Sequence, residues 1–237
     1  MKKELRLLSL LLLIISVLSG CMYPKERLAE NQIPYEDQIQ AVQSVIDNYK
    51  EDTGGLLPIK TRDQTTPIYQ KYPIDFKMVV PKYMAEPPGN AFESGGIFQY
   101  VLVDVETNPT VKIFDLRMAE TIRDIKLRIK TQGYPPYKEQ IADHVFSLDF
   151  SKLGYKEDPT AKSPYTGLPL PFVVTGDGEV YVDYTSDLFE AVKTKKMNFK
   201  PGEDIRGILV EDSAFVPAYS LPYTIDENTK QPIFLAK

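Results

Sequence analysis

The 237-residue chain has one cysteine, one histidine and no tryptophan. With Cys21 alone there is no internal disulfide, so the fold must be held by its core. Ser-His-Asp and Cys-His machinery needs a histidine, and the one available, His144, is accompanied by no GxSxG run to supply a nucleophile elbow. Zinc centres, which draw on several His or Cys ligands, are disfavoured on the same count. Neither GxGxxG nor GxxxxGK[ST] occurs, so dinucleotide and P-loop signatures are missing and no cofactor is expected. Positive charge is in the minority: 28 Lys and Arg against 33 Asp and Glu give a net charge of −5, which argues against nucleic acid as a partner.

What is present begins with Lys2, Lys3 and Arg6, followed by an uncharged run from Leu7 to Leu18. That run has the length of a signal-peptide core and falls short of the roughly 20 apolar residues a membrane span needs. It ends in Leu18-Ser19-Gly20-Cys21, which resembles the lipobox of bacterial lipoproteins. The resemblance implies that Met1 to Gly20 are removed and that Cys21 becomes a diacylglyceryl-modified first residue. Two acyl chains suffice to hold a protein on a membrane. Loss of Lys2, Lys3, Arg6 and Glu4 would then take the net charge from −5 to −7. Met22 to about Gln32 is polar and aperiodic, a tether whose eleven residues reach at most about 36 to 40 Å. This signal, with the Gly55 to Tyr72 stretch, is similar to those of uncharacterised cell-envelope lipoproteins of Gram-positive, Bacillus-type bacteria. Beyond Cys21 that resemblance carries no functional residue across.

From Pro34 the pattern becomes that of a folded domain extending to Lys237. A helix is expected over Pro34 to Asp52, with Tyr35, Ile39, Val42, Ile46 and Tyr49 in one apolar stripe and Gly54 to stop it. Ile97 to Val105 and Thr110 to Leu116 read as a hairpin, entered through a tight turn at Gly95-Gly96. A second helix follows over Met118 to Lys130, capped near Asp115, ended by Gly133 and buried through Met118, Ile122, Ile125 and Ile129. Asp143 to Phe150 alternates as a strand that would put His144 at the rim of the core with Phe146 and Leu148. Phe172 to Val174 and Glu179 to Tyr184 form a further hairpin, before a helix over Asp187 to Lys195 with Ser186 as its cap. Short strands are expected at Ile208 to Val210 and Pro232 to Leu235. The sum is an α+β fold of short antiparallel strands and hairpins with about three helices.

Gly55, Leu56, Tyr69, Tyr72 and Asp75 recur at an offset of 112 residues as Gly167, Leu168, Tyr181, Tyr184 and Asp187. Read as a duplication, this spacing divides the domain into two similar lobes, 34–135 and 136–237.

Two features have a functional flavour. Pro-Tyr neighbours place Tyr134, Tyr137, Tyr165, Tyr219 and Tyr223 in expected loops, a set suited to recognising a protein, peptide or wall component. The second helix carries Arg123, Lys126 and Lys130 on one face, able to meet anionic headgroups or wall polyanions. Spacing of Glu120 and Asp124 against Arg123 and Arg128 describes a solvated, ion-paired helix, the better reading of that face. No catalytic residue can be named, so the chain reads as a non-catalytic binding module anchored through Cys21 at the outer face of a cell membrane. A solute-binding lipoprotein of an ABC transporter is a second reading. A wall hydrolase using two of Asp75, Asp104, Glu106, Asp115, Asp149, Asp183 and Asp187 is a third.

Overall fold

The computed structural model describes residues 36–195 and 199–235. Cys21, the tether, Pro34 and Tyr35 lie outside the described residues. Helix α1 spans Glu36–Asp52, with Glu36 and Asp37 at the positive end of its dipole. It buries Val42, Val45, Ile46 and Tyr49, with Ile39 of the expected stripe partly buried beside them. Past Asp52 the chain turns through Gly54 and Gly55, both at positive φ, and the Gly55 N–H closes the helix end by donating to the Lys50 carbonyl at 2.8 Å.

Single turns of 3-10 helix at Ile68–Gln70, Phe76–Met78 and Phe92–Ser94 lead into strands β1 (Phe98–Val103) and β2 (Thr110–Asp115). The two form the expected antiparallel hairpin, Phe98 opposite Asp115 and Val103 opposite Thr110. All six residues of β1 are buried because both faces of this two-stranded sheet are covered. Tyr100, Leu102, Val111 and Ile113 pack with α1, and Val101, Val103 and Phe114 pack with Val210, Val216 and Ala218. Gln43 of α1 locks the first contact, its Oε1 accepting from the Val111 N–H at 2.8 Å and its Nε2 donating to the Pro109 carbonyl at 3.0 Å.

Helix α2 (Arg117–Gln132) has the buried stripe foreseen, Met118, Ile122, Ile125 and Ile129. Asp115 accepts from the Arg117 N–H at 2.8 Å, and Gly133 ends the helix at φ +92. Its apolar stripe belongs to the larger cluster built by everything that follows. The helix assigned by sequence to the end of a 34–135 lobe therefore packs with the C-terminal part of the chain.

Strands β3 (Tyr137–Ala142), β4 (Val145–Leu148), β7 (Phe172–Thr175) and β8 (Val180–Val182) make an antiparallel sheet in the order β3-β4-β7-β8. The minor pairs are β5 (Ala161–Lys162) with β6 (Pro169–Leu170) and β9 (Tyr223–Ile225) with β10 (Pro232–Phe234). Edge strand β3 is exposed nearly throughout, and its pairing with β4 is interrupted by two register shifts. Helix α3 covers Thr185–Lys195. Its start is held by Asp183, which accepts from the N–H and hydroxyl of Thr185, and not by Ser186.

Two further expectations are corrected. The strand over Ile208 to Val210 is a 3-10 turn, Ile205–Leu209, opened by Asp204. Residues 143 and 144 are the turn between β3 and β4, with His144 at φ +55 and its side chain 82% exposed; Leu148 is buried as expected, and Val145 is buried as well. The 112-residue offset relates segments of different local structure: Tyr69 stands on a 3-10 turn and Tyr181 on β8.

Candidate functional site

The five tyrosines singled out by sequence separate into two kinds. Tyr223 is fully buried, Tyr184 packs beside it, and Tyr165 and Tyr219 are partly buried against the main core. Burial raises the phenol pKa of Tyr219 to about 12 and that of Tyr165 well above its usual value. The Tyr223 hydroxyl is consumed internally, donating to Asp183 at 2.9 Å and accepting from the Tyr184 N–H at 2.9 Å. These three rings are packed into the fold; the Tyr223 hydroxyl has internal partners, whereas that of Tyr165 is buried without one among the described residues. Tyr134 and Tyr137 remain at the surface, 60% and 41% exposed.

Those two tyrosines border the basic face of α2. Arg123, Lys126, Leu127, Lys130, Tyr134 and Tyr137 line a groove of about 590 Å³, closed on its far side by the Gly176–Gly178 turn. Helical spacing creates this arrangement: with the stripe from Met118 to Ile129 turned inward, Arg123, Leu127 and Lys130 fall on the opposite, exposed side. Leu127 is 60% exposed among the cations. Tyr137 is fixed by its ring against Phe146, centroids 4.7 Å apart, and by donation to the Gly176 carbonyl at 3.1 Å.

The charges of α2 are segregated. Arg128 pairs with Asp124 at 2.9 Å and lies over the Tyr155 ring, while Lys126 reaches Glu179 on the neighbouring turn at 2.7 Å. Among the described residues neither Arg123 nor Lys130 has an ion pair, and the expected Glu120–Arg123 pair is not formed. Asp177, the one acid lining the groove, is turned toward the Thr175 hydroxyl, which holds its carboxyl below the usual range.

A larger cleft of about 740 Å³ lies between Ile68, Tyr69 and Tyr72, the turn end of the β1–β2 hairpin, and Gly207, Val210 and Glu211. Nothing in the sequence marked it, because it gathers residues more than a hundred positions apart. Its wall includes Lys112, whose amine donates to the Val210 and Ser213 carbonyls at 2.9 and 2.5 Å. Behind Tyr69 sits buried Arg206, 5.1 Å from the ring centroid and paired with Asp204 at 2.7 Å. Burial pushes the Tyr69 phenol up to about 12.

Of the acids weighed for hydrolysis, Asp104 and Glu106 line this cleft, Asp115 pairs with Arg117, and Asp183 is taken up by Tyr223 and Thr185. Asp187 is buried and accepts from the hydroxyls of Ser163 and Thr166. No cluster of three or more His, Cys, Asp or Glu suited to a metal occurs among the described residues.

Residues 35–115 match the YphF family N-terminal domain. The match takes in α1 and the β1–β2 hairpin and stops two residues before α2, where the packing also passes from the first cluster to the larger one. The basic groove lies entirely beyond it. No curated protein and no solved structure matches the chain.

Proposed function

We propose that this chain is a lipid-anchored envelope lipoprotein, held through Cys21 at the outer face of the cell membrane, whose folded domain binds an anionic partner without catalysing a reaction. The observation that carries the binding reading is the α2 groove, where exposed Tyr134 and Tyr137 meet Arg123, Lys126 and Lys130 around exposed Leu127. Cations beside rigid aromatic rings suit recognition of an anionic surface, and the two uncompensated ones have no internal electrostatic role to fill. The anchor reading rests on the lipobox-like Leu18 to Cys21 and the polar tether behind it.

Two measurements test it. Mass analysis of the membrane-extracted protein should find an N-terminal, acylated Cys21, and Cys21→Ser should release the chain from the membrane. A photo-crosslinking residue in place of Leu127 should yield an adduct in intact cells that disappears in the R123E/K130E variant. An adduct indifferent to those charges would refute the groove.

A second reading, the solute-binding subunit of an ABC transporter, draws on the 740 Å³ cleft beside Tyr69 and Tyr72. A small molecule that raises the melting temperature of the full chain, and no longer does so when Val103→Arg blocks the cleft, would favour it.

A further inference from the structure

We infer that the α2 groove face is a membrane-docking surface, and that its ligand is the anionic phospholipid headgroup layer of the leaflet carrying the anchor. This deepens the reading just given and rests on it for the source of the membrane. The argument begins with what lies on that face. Arg123, Leu127 and Lys130 succeed one another at spacings of four and three, with Lys126 alongside, and Tyr134 and Tyr137 continue the row past the helix end. An apolar side chain that is 60% exposed, set between uncompensated cations and followed by two exposed tyrosines, is the composition of a surface that lies in a bilayer interface. There the cations meet lipid phosphates, the leucine enters the acyl boundary, and the tyrosine rings sit at headgroup depth.

Charge complementarity favours lipid over an acidic protein. The rest of the chain is acidic, so a net attraction to a charged sheet must come from a local patch: Glu179 pairs with Lys126, Asp177 stays ionised at the groove wall, and Arg123 and Lys130 together leave the groove lining with a positive excess. On the other flank of α2 Arg128 is paired with Asp124. Each cation near an anionic surface contributes about 1 kcal/mol, or roughly a fivefold change in partition. The fourteen residues from Met22 to Tyr35 that separate Cys21 from α1 reach at most roughly 50 Å, so an anchored domain stays within contact range of its own bilayer.

The absence of tryptophan gives a clean reporter. The full, membrane-extracted chain carrying Tyr134→Trp would be reconstituted in vesicles of phosphatidylcholine alone or with phosphatidylglycerol, each with brominated acyl chains. Docking predicts a blue-shifted emission and at least about twofold stronger quenching in the phosphatidylglycerol vesicles, reversed by about 0.5 M salt. Adding R123E/K130E to the reporter should return quenching to the phosphatidylcholine level, as should the milder R123Q/K130Q if the reversed pair fails to fold. A Phe189→Trp reporter on α3 should show no lipid dependence. Equal quenching in both vesicle types, or quenching that survives charge reversal, would overturn the assignment. So would an emission change produced by soluble glycerol phosphate without vesicles, which would mark a free-anion site, or a Leu127 crosslink to protein in place of lipid. Mass analysis of the same preparation reads the anchor separately: phosphatidylglycerol-dependent quenching in an unacylated chain would keep the surface and remove the anchor.

Discussion

The Tyr223 hydroxyl stands between the Asp183 carboxylate and the Tyr184 N–H, 2.9 Å from each, and so ties β9 to the start of α3. Tyr223→Phe would leave a buried N–H without its acceptor and Asp183 short of one donor. The expected cost is about 1 to 3 kcal/mol, measured as a lower urea midpoint with an unchanged slope. Binding through the α2 groove should be unaffected, which separates this tyrosine from Tyr134 and Tyr137.

Asp187 gives the fold a pH-dependent weakness. Burial raises its carboxyl pKa above 3.8 in the folded state, and the hydroxyls of Thr166 and Ser163 offset only part of that. A raised folded pKa means that its contribution is full below about pH 4 and is lost as pH climbs through the folded value. Asp187→Asn removes this dependence. The urea midpoint of the native chain should therefore fall relative to that of the variant between pH 4 and pH 7, and parallel curves would contradict the assignment.

Gly96 cannot carry a side chain. A Cβ there would lie 2.1 Å from the Asn90 carbonyl oxygen and 2.6 Å from its Cα, and backbone cannot step aside as a side chain does. Gly96→Ala should cost at least about 1 to 3 kcal/mol, whereas Gly202→Ala, with open space around it, should be milder despite its φ of +86. Thermal melts of the two variants give the comparison.

Lys112 spends its charge on backbone, bridging β2 to the Val210 and Ser213 carbonyls, and burial lowers its pKa against the pull of Asp104 and Asp212. Lys112→Met would strand the Ser213 carbonyl and leave that of Val210 with only the long bond from the Ser213 N–H at 3.4 Å. Hydrogen exchange should quicken first in residues 213 to 216, where the Val216 N–H bonds to the Ile113 carbonyl, at a global cost of about 1 to 3 kcal/mol.

How far the sequence reaches is visible in α2. Four apolar residues at helical spacing identified its buried face, and the same periodicity fixed the cations opposite, so half of the groove was legible. The other half was not: Tyr137 belongs to it because a strand of the neighbouring sheet brings the ring onto Phe146. Tyr223 misled for a related reason, since its acceptor, Asp183, is forty residues away. His144 was displaced by local chemistry: it stands at positive φ in the turn before β4, outside the strand whose alternation had been used to place it. The end of α1 at Asp52 and the β1–β2 hairpin, whose periodicity and turn are signals local in sequence, were read closely.

The exposed edge strand β3 bears on how such proteins coexist. A chain held on a bilayer is concentrated in two dimensions, where an open row of backbone donors and acceptors would invite neighbouring copies to pair edge to edge. Lys138 and Glu139, together with the two register shifts against β4, make Tyr137–Ala142 a poor template for that pairing. On the proposed anchoring, the irregular edge would keep neighbouring copies from pairing.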